Sequence, residues 1–114
     1  MLVQRTPSGD VATNERYLRA LVLDSLGRGE APFASHGFYT RYLDDTVRPE
    51  RRLGMECGFA WAESADLIVV GVDLGISSGM EEGISRWQRT GKPIEHRSLD
   101  GWPKAEPRQQ GLAL

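Results

Sequence analysis

An apolar run followed by a glycine-rich stretch is the clearest pattern in the chain. Residues 67–70 are all apolar and mostly β-branched, which is typical of a strand buried on both faces. Gly75 and Gly79 then break the pattern, and Ser77 or Ser78 can cap the helix that follows. Backbone N–H groups at a helix N-terminus attract anions and polar ligands. The stretch therefore predicts a strand, a turn and a helix, with a ligand site at the turn.

The rest of the chain alternates between strand-like and helix-like patterns. Residues 2–5, 31–35 and 93–96 predict three further strands, and residues 14–26 and 49–64 predict helices. Alternation of this kind predicts a parallel sheet with right-handed crossovers. We therefore expect an α/β fold, a small doubly wound parallel sheet of about four strands in the order 2-1-3-4, flavodoxin- or Rossmann-like, with helices on both faces.

The helix predicted at residues 49–64 is apolar over an unusually wide arc. The side chains expected on its inward stripe are Leu53, Cys57, Ala60, Trp61 and Ser64. Three further side chains widen the apolar surface, namely Met55, Phe59 and Ala62. So wide an arc indicates burial on more than one side, either at a subunit interface or in a thick core.

Composition narrows the class of protein. The 114 residues are 39% hydrophobic and 26% charged, as in a globular domain, with residues 1–97 expected to form it. Residues 98–114 predict a tail, loosely ordered or docked on a neighbouring subunit. The net charge of −2 argues against binding of a nucleic-acid polymer, and no apolar run is long enough to span a membrane. A lone cysteine and the lack of a signal peptide predict a cytoplasmic protein, and neither a metal nor an organic cofactor is implied.

Three loops are predicted to meet at the carboxyl edge of the sheet, where parallel sheets bind ligands. They are residues 6–10, 36–45 and 73–82. The candidate ligand-binding residues on them are Ser8, Gly9, His36, Asp73, Gly75, Ser77, Ser78 and Gly79. Turn formation, helix capping and a surface histidine remain open as purely structural roles for these residues.

Four short motifs, at residues 6–10, 31–36, 58–70 and 78–84, give the chain a resemblance to a known superfamily. Over about residues 1–97 it resembles the nucleoside 2-deoxyribosyltransferases, including the 2′-deoxynucleoside 5′-phosphate N-hydrolases, and above all small phage and bacterial members of unassigned function. The resemblance implies cleavage or transfer of the N-glycosidic bond of a nucleoside or nucleoside 5′-monophosphate. Two carboxylates would flank an oxocarbenium-like transition state, one of them as the nucleophile.

The chain departs from the superfamily where the resemblance places its catalytic groups. The position of the nucleophile falls on Gly83, that of the assisting acid on Gly58, and that of a first-strand tyrosine on Ser8. The carboxylates available as substitutes are Glu82 or Glu81 for the nucleophile and Asp45 or Asp44 for the acid. Acidic residues in a first helical turn also stabilise the helix dipole without any further role.

Two functions are therefore expected. One is an N-glycosidase or transferase in which residues 77–79 hold the sugar or its phosphate. The alternative is a non-catalytic nucleoside- or nucleotide-binding module that has lost the catalytic carboxylates. A role in protein interaction through the broad second helix stays open as a third. Because members of the superfamily complete their sites with residues of a neighbour, the resemblance also implies a homo-oligomer, most simply a dimer.

Overall fold

The computed structural model describes residues 2–3 and 11–102. Within them lie three strands and four helices, which are, in chain order, β1 (Leu2–Val3), α1 (Val11–Gly27), α2 (Ser35–Tyr39), α3 (Arg48–Glu63), β2 (Ile68–Gly71), α4 (Ser78–Gln88) and β3 (Ile94–Arg97). The helices predicted at residues 14–26, 49–64 and from residue 77 onward are confirmed as α1, α3 and α4. None of the described helices is long and apolar enough to cross a membrane.

The strands form one parallel sheet in the order β1-β2-β3. Val69 of β2 aligns with Leu2 of β1, and Ile68 aligns with Ile94 of β3. The predicted four-stranded, doubly wound sheet in the order 2-1-3-4 is therefore wrong, since the described residues form three strands that follow chain order. All four residues of the central strand β2 are buried, as its apolar run requires.

The error comes from residues 31–35, where a strand was predicted. Residues 31–34 have no regular structure, and α2 begins at Ser35. Pro32 has no N–H to donate to a strand ladder. Phe33 packs on Trp61 of α3 with ring centroids 4.4 Å apart, and Ala34 packs against the core cluster that contains Tyr17. Phe33 and Ala34 are thus partly covered by helices, and the segment does not join the sheet.

The two faces of β2 are covered by different helices because successive side chains of a strand point to opposite faces. On one face, Val69 packs with Tyr17 and Leu21 of α1 and with Trp102. On the other face, Ile68 packs with side chains of α3 and α4, namely Phe59, Ala62 and Trp87. The tail tryptophan, Trp102, is 8% exposed and lies 5.1 Å from the ring of Tyr17, so the described part of the tail returns to α1 of its own chain.

The inward stripe predicted for α3 is also wrong. Leu53 and Trp61 are 54% and 47% exposed, whereas the buried residues of the helix are Gly58, Phe59 and Ala62. A Cβ atom at Gly58 would lie 2.9 Å from the hydroxyl oxygen of Ser35. The helix therefore turns the side that carries Gly58 toward Ser35 of α2 and leaves Leu53 and Trp61 largely exposed.

Candidate functional site

A groove lies between α2, the loop after it, α3 and the first half of α4. Its cavity volume is about 80 Å³. The apolar side chains that line it are Tyr39, Leu43, Met55, Phe59, Met80 and Trp87. The polar ones are Ser35, His36, Thr40, Asp45, Glu50 and Arg51. Apolar walls with a few convergent polar groups are typical of small-molecule sites.

Four glycines shape the groove. Gly54 and Gly58 lie four residues apart on α3, and Gly79 and Gly83 lie four residues apart on α4, so that each pair shares one helix face. All four line the groove. Because glycine has no side chain, Gly58 and Gly83 let the side chains of Ser35 and Trp87 pack closely against the two helices, and Gly54 leaves room beside Leu43.

Gly58 and Gly83 are the positions at which the resemblance predicts catalytic carboxylates. A Cβ atom at Gly83 would lie 3.0 Å from the indole ring of Trp87, and one at Gly58 would lie 2.9 Å from the Ser35 hydroxyl oxygen. Both distances are shorter than ordinary van der Waals contact. A glutamate or an aspartate at either position would have to displace its neighbour, so this backbone fits glycine there.

Three of the predicted site residues come together in the groove. His36 belongs to α2, Asp45 to the loop after it, and Gly79 to the first turn of α4. Two of the three predicted loops thus contribute to one cavity. The third comprises residues 6–10, so Ser8 and Gly9 lie outside the described residues.

Asp73 does not line the groove and instead forms a structural junction. It accepts hydrogen bonds from the hydroxyls of Tyr17 and Ser98 and from the N–H of Leu99, while its own N–H donates to the Tyr17 oxygen. Partial burial opposes ionisation of Asp73, but the hydrogen bonds from Ser98, Tyr17 and Leu99 outweigh it and lower its pKa. Burial and the carboxylate of Asp73 raise the pKa of Tyr17. This carboxylate ties the end of β2 to α1 and to the start of the tail.

The predicted residues around the start of α4 mostly shape the backbone. Gly75 adopts a φ of 87°, a conformation that side chains disfavour. Ser77 is the N-cap, and its hydroxyl accepts from the N–H of Met80 at 3.2 Å. Ser78 is the first residue of the helix and is exposed. None of the three lines the groove.

Glu81 and Glu82, the predicted nucleophiles, are exposed on α4 and do not line the groove. Gly79 and Gly83 face the cavity, and successive residues of a helix rotate by about 100°, so Glu82 is turned about 100° and Glu81 about 200° from position 83. Helix geometry thus directs both carboxylates away from the space that a ligand would enter.

Asp44, the alternative acid, forms a turn. Its carboxylate accepts from the hydroxyl of Thr46 at 2.6 Å and from the N–H of Thr46 at 2.9 Å, and these hydrogen bonds lower the pKa of Asp44. The N–H of Asp44 donates to Glu50 at 2.9 Å. The structural role of this exposed carboxylate is therefore to shape the loop that carries Asp45.

Sequence reasoning missed Glu50 and Arg51, which lie in the first turn of α3 and line the groove. The signal that points to them is the spacing of Arg51, Gly54 and Gly58, which places all three on one side of the helix. Glycines within a helix are unfavourable for its stability, so their recurrence in two helices points to positions where packing or the groove requires a small residue.

The indole of Trp87 carries an unused donor. Its side chain is buried and lines the groove, and its N–H has no hydrogen-bond partner among the described residues. A buried donor without an acceptor is costly. The described residues contain no group of three or more histidine, cysteine, aspartate or glutamate side chains that could hold a metal ion.

Comparison with known families gives one match, over residues 3–97, to a family described as "Domain of unknown function (DUF7768)". The chain belongs to this family. The matched range ends at Arg97, which is also the last residue of β3. No curated protein and no solved structure matches the chain. Since the family description names no activity, the resemblance to deoxyribosyltransferases stays a prediction.

Proposed function

We propose that the chain binds a nucleoside or a nucleoside 5′-monophosphate in the groove and does not cleave its N-glycosidic bond. One observation carries the proposal: four glycines on two helices line a single cavity together with His36 and Asp45. Two of these glycines occupy the positions at which the resembled superfamily has its carboxylates. Such a site lacks carboxylates at the two positions where the resemblance places the groups that attack the substrate.

The lining suits a ligand that is apolar and planar at one end and polar at the other. A cavity of about 80 Å³ is smaller than the roughly 150 Å³ cavity that holds benzene, so only part of a base would be enclosed. Trp87 and Phe59 supply aromatic surface for it, and an acceptor atom that reaches the Trp87 N–H would satisfy that donor. His36 and Arg51 supply polar contacts for the sugar or its phosphate.

A second candidate is catalysis by carboxylates other than those predicted. Asp45 and Glu50 both line the groove, and a pair of carboxylates is what hydrolysis of a glycosidic bond requires. In that case one of them would act as the nucleophile or general base and the other as the acid. Glu81 and Glu82 would take no part.

The test combines binding and chemistry on the same samples. A panel of nucleosides and 5′-monophosphates is titrated by calorimetry, and each mixture is then analysed by chromatography for free base. The proposal predicts micromolar binding of at least one compound with no release of base. Absence of binding across the panel would refute the ligand class, and base release that is lost in Asp45→Asn or Glu50→Gln would establish the second candidate.

Matched variants show whether the groove is the site. Gly54 lines the groove, and a Cβ atom there would make ordinary contact with Leu43 Cδ1 at 3.6 Å. The larger side chain of Gly54→Leu should therefore occupy the cavity and abolish binding. Gly27→Leu makes the same change at the end of α1, where a Cβ atom meets nothing within 4 Å, and should leave binding unchanged. Glu82→Gln should also leave binding unchanged, and a loss there would contradict the placement of this carboxylate outside the site.

A further inference from the structure

We propose that the ion pair between Glu56 of α3 and Arg86 of α4 is a clasp that holds the aromatic wall of the groove in place, so that both are positioning residues for the ligand. The aromatic wall consists of Phe59 and Trp87, which both line the groove. The guanidinium of Arg86 donates one hydrogen bond to each oxygen of the Glu56 carboxylate, at 2.8 and 3.3 Å. Two parallel hydrogen bonds fix an orientation as well as a distance, so the clasp sets how α3 and α4 lie relative to each other beside the groove.

The clasp contacts the aromatic wall directly. The central carbon of the Arg86 guanidinium lies 3.7 Å from the centroid of the Phe59 ring, which is the geometry of a cation–π contact. The rings of Phe59 and Trp87 meet edge to face, with centroids 5.8 Å apart. A movement of Arg86 would therefore be transmitted to Phe59, and from Phe59 to Trp87.

Each half of the aromatic wall belongs to the same helix as one half of the clasp. Phe59 lies three residues after Glu56 on α3, and Trp87 follows Arg86 on α4. The ring of Trp87 packs against its own helix, 3.0 Å from the position that a Cβ atom at Gly83 would take. One ring is thus carried by α3 and the other by α4, and the clasp joins the two helices.

Two further charges support the clasp. Arg52 lies 3.6 Å from Glu56, and Glu82 adds an attractive charge beside Arg86, so the four charges balance. The hydrogen bonds between Arg86 and Glu56 lower the pKa of the carboxyl group and raise the pKa of the guanidinium. Glu56 and Arg86 are 44% and 41% exposed, and ion pairs this exposed contribute little to the stability of a fold. Breaking the clasp should therefore change the groove and leave the chain folded.

Fluorine NMR of the full chain labelled with 5-fluorotryptophan tests the clasp without any ligand. The chain has three tryptophans, and the variants Trp87→Phe and Trp102→Phe assign the two resonances that matter. Glu56→Gln keeps the size of the side chain and removes its charge, and it should shift and broaden the Trp87 resonance. The Trp102 resonance should not move, because Trp102 packs on Tyr17 at the opposite face of the sheet.

Calorimetry with the panel of nucleosides and 5′-monophosphates tests the effect on the ligand, and this part alone rests on the proposed function. A less ordered wall must be ordered on binding, so the affinity of Glu56→Gln should fall. The loss cannot exceed the interaction energy of an exposed ion pair, which corresponds to a dissociation constant about two- to fivefold higher. Arg86→Lys keeps the charge but cannot donate both hydrogen bonds from a rigid fork, so its affinity should lie between those of the native chain and Arg86→Met.

Asp24→Asn is the matched control. It breaks an exposed ion pair with the same 2.8 Å separation, between Asp24 and Arg28 on α1. This variant should leave both the Trp87 resonance and the affinity unchanged. In urea denaturation, Asp24→Asn and Glu56→Gln should both remain close to the native chain in stability.

The possible results decide the proposal. An unchanged Trp87 resonance in Glu56→Gln would overturn the clasp, and so would an equal change in Asp24→Asn. A strong loss of stability in Glu56→Gln would show that the pair supports the fold and would overturn its positioning role. A compound that binds the native chain and Glu56→Gln equally well would overturn that role too. If the Trp87 resonance changes in Glu56→Gln alone and no compound binds the native chain, the clasp stands and the ligand class proposed for the groove is refuted.

Discussion

Replacing Glu30 by glutamine is expected to destabilise the fold strongly, because this carboxylate neutralises a buried arginine. Arg97, at the end of β3, has a side chain that is only 5% exposed. Its guanidinium donates two hydrogen bonds to the carboxylate of Glu30, at 2.8 and 2.6 Å, and a further one to Glu95. Ser25 of α1 also donates to Glu30, at 2.7 Å. The pair therefore joins the third strand to the end of the first helix.

The size of the effect follows from burial. Removing one partner of a fully buried ion pair costs roughly 3–5 kcal/mol, whereas an exposed pair contributes about 0–1 kcal/mol. Glu30 is 31% exposed and Arg97 keeps Glu95, so we expect a loss of about 2–3 kcal/mol for Glu30→Gln. With an unfolding entropy of about 2.1 cal/mol/K per residue over 114 residues, the melting temperature should fall by about 10 °C.

Urea denaturation at pH 7 measures this loss of stability, and two other variants serve as comparisons for Glu30→Gln. Asp24→Asn breaks the exposed pair with Arg28, whose atoms are 2.8 Å apart, and should cost less than about 0.5 kcal/mol. Arg97→Met should cost less than Glu30→Gln, because a partly exposed carboxylate can be hydrated and a buried guanidinium cannot. Equal effects of Glu30→Gln and Asp24→Asn would refute the claim that burial of Arg97 sets the magnitude.

The same pair predicts a pH dependence. The hydrogen bonds from Arg97 and Ser25 lower the pKa of Glu30 from 4.5 to about 2. Because the folded state holds the ionised form more strongly than the unfolded state, the contribution of the pair is complete above pH 4.5. It is lost as the pH falls from 4.5 toward 2. The stability difference between the native chain and Glu30→Gln should therefore be constant from pH 6 to 8 and smaller at pH 3.

Two further substitutions test the junction at the end of β2. Tyr17→Phe removes the hydroxyl that donates to Asp73 and accepts from its N–H, and it should cost about 1.5–3 kcal/mol in urea denaturation. Gly71→Ala places a Cβ atom 2.8 Å from the Tyr17 oxygen and 2.5 Å from Leu21 Cδ1. This overpacking should lower the free energy of unfolding by about 1–3 kcal/mol. An unchanged free energy of unfolding would show that α1 can move away from the sheet.

Hydrophobic periodicity located the helices because their patterns are long, and it failed where segments are short. The pattern of Leu18, Leu21 and Val22 recurs over several turns, and α1 covers the whole of it. Residues 31–35 offer only a few apolar positions, and such a run cannot distinguish a strand from a loop packed under helices. The predicted fold class was wrong because of that one segment. Without a strand at residues 31–35, the sheet has neither a fourth strand nor the predicted order.

The inward face of α3 was mistaken because the helix is apolar over so wide an arc that spacing alone does not choose between its faces. Leu53 and Trp61 were predicted inward and are exposed, yet the buried face carries Gly58, Phe59 and Ala62. A small residue such as glycine often lies where two helices pack closely. A prediction that counts apolar side chains does not detect such a contact. For the same reason the sequence named Gly58 and Gly83 only as departures from the superfamily, and it overlooked Gly54.

Gly54 offers the sharpest test of whether the groove is kept open for a ligand. A Cβ atom there would lie 3.6 Å from Leu43 Cδ1, which is ordinary contact, so packing does not require glycine at this position as it does at Gly58. Alanine favours a helix interior over glycine by about 0.5–1 kcal/mol, so Gly54→Ala should stabilise the chain by that amount. The added methyl group also narrows the cavity and should weaken ligand binding. A variant that is more stable and binds less well would show that the chain forgoes stability to keep this space open. A variant that is more stable and binds equally well would place the ligand elsewhere.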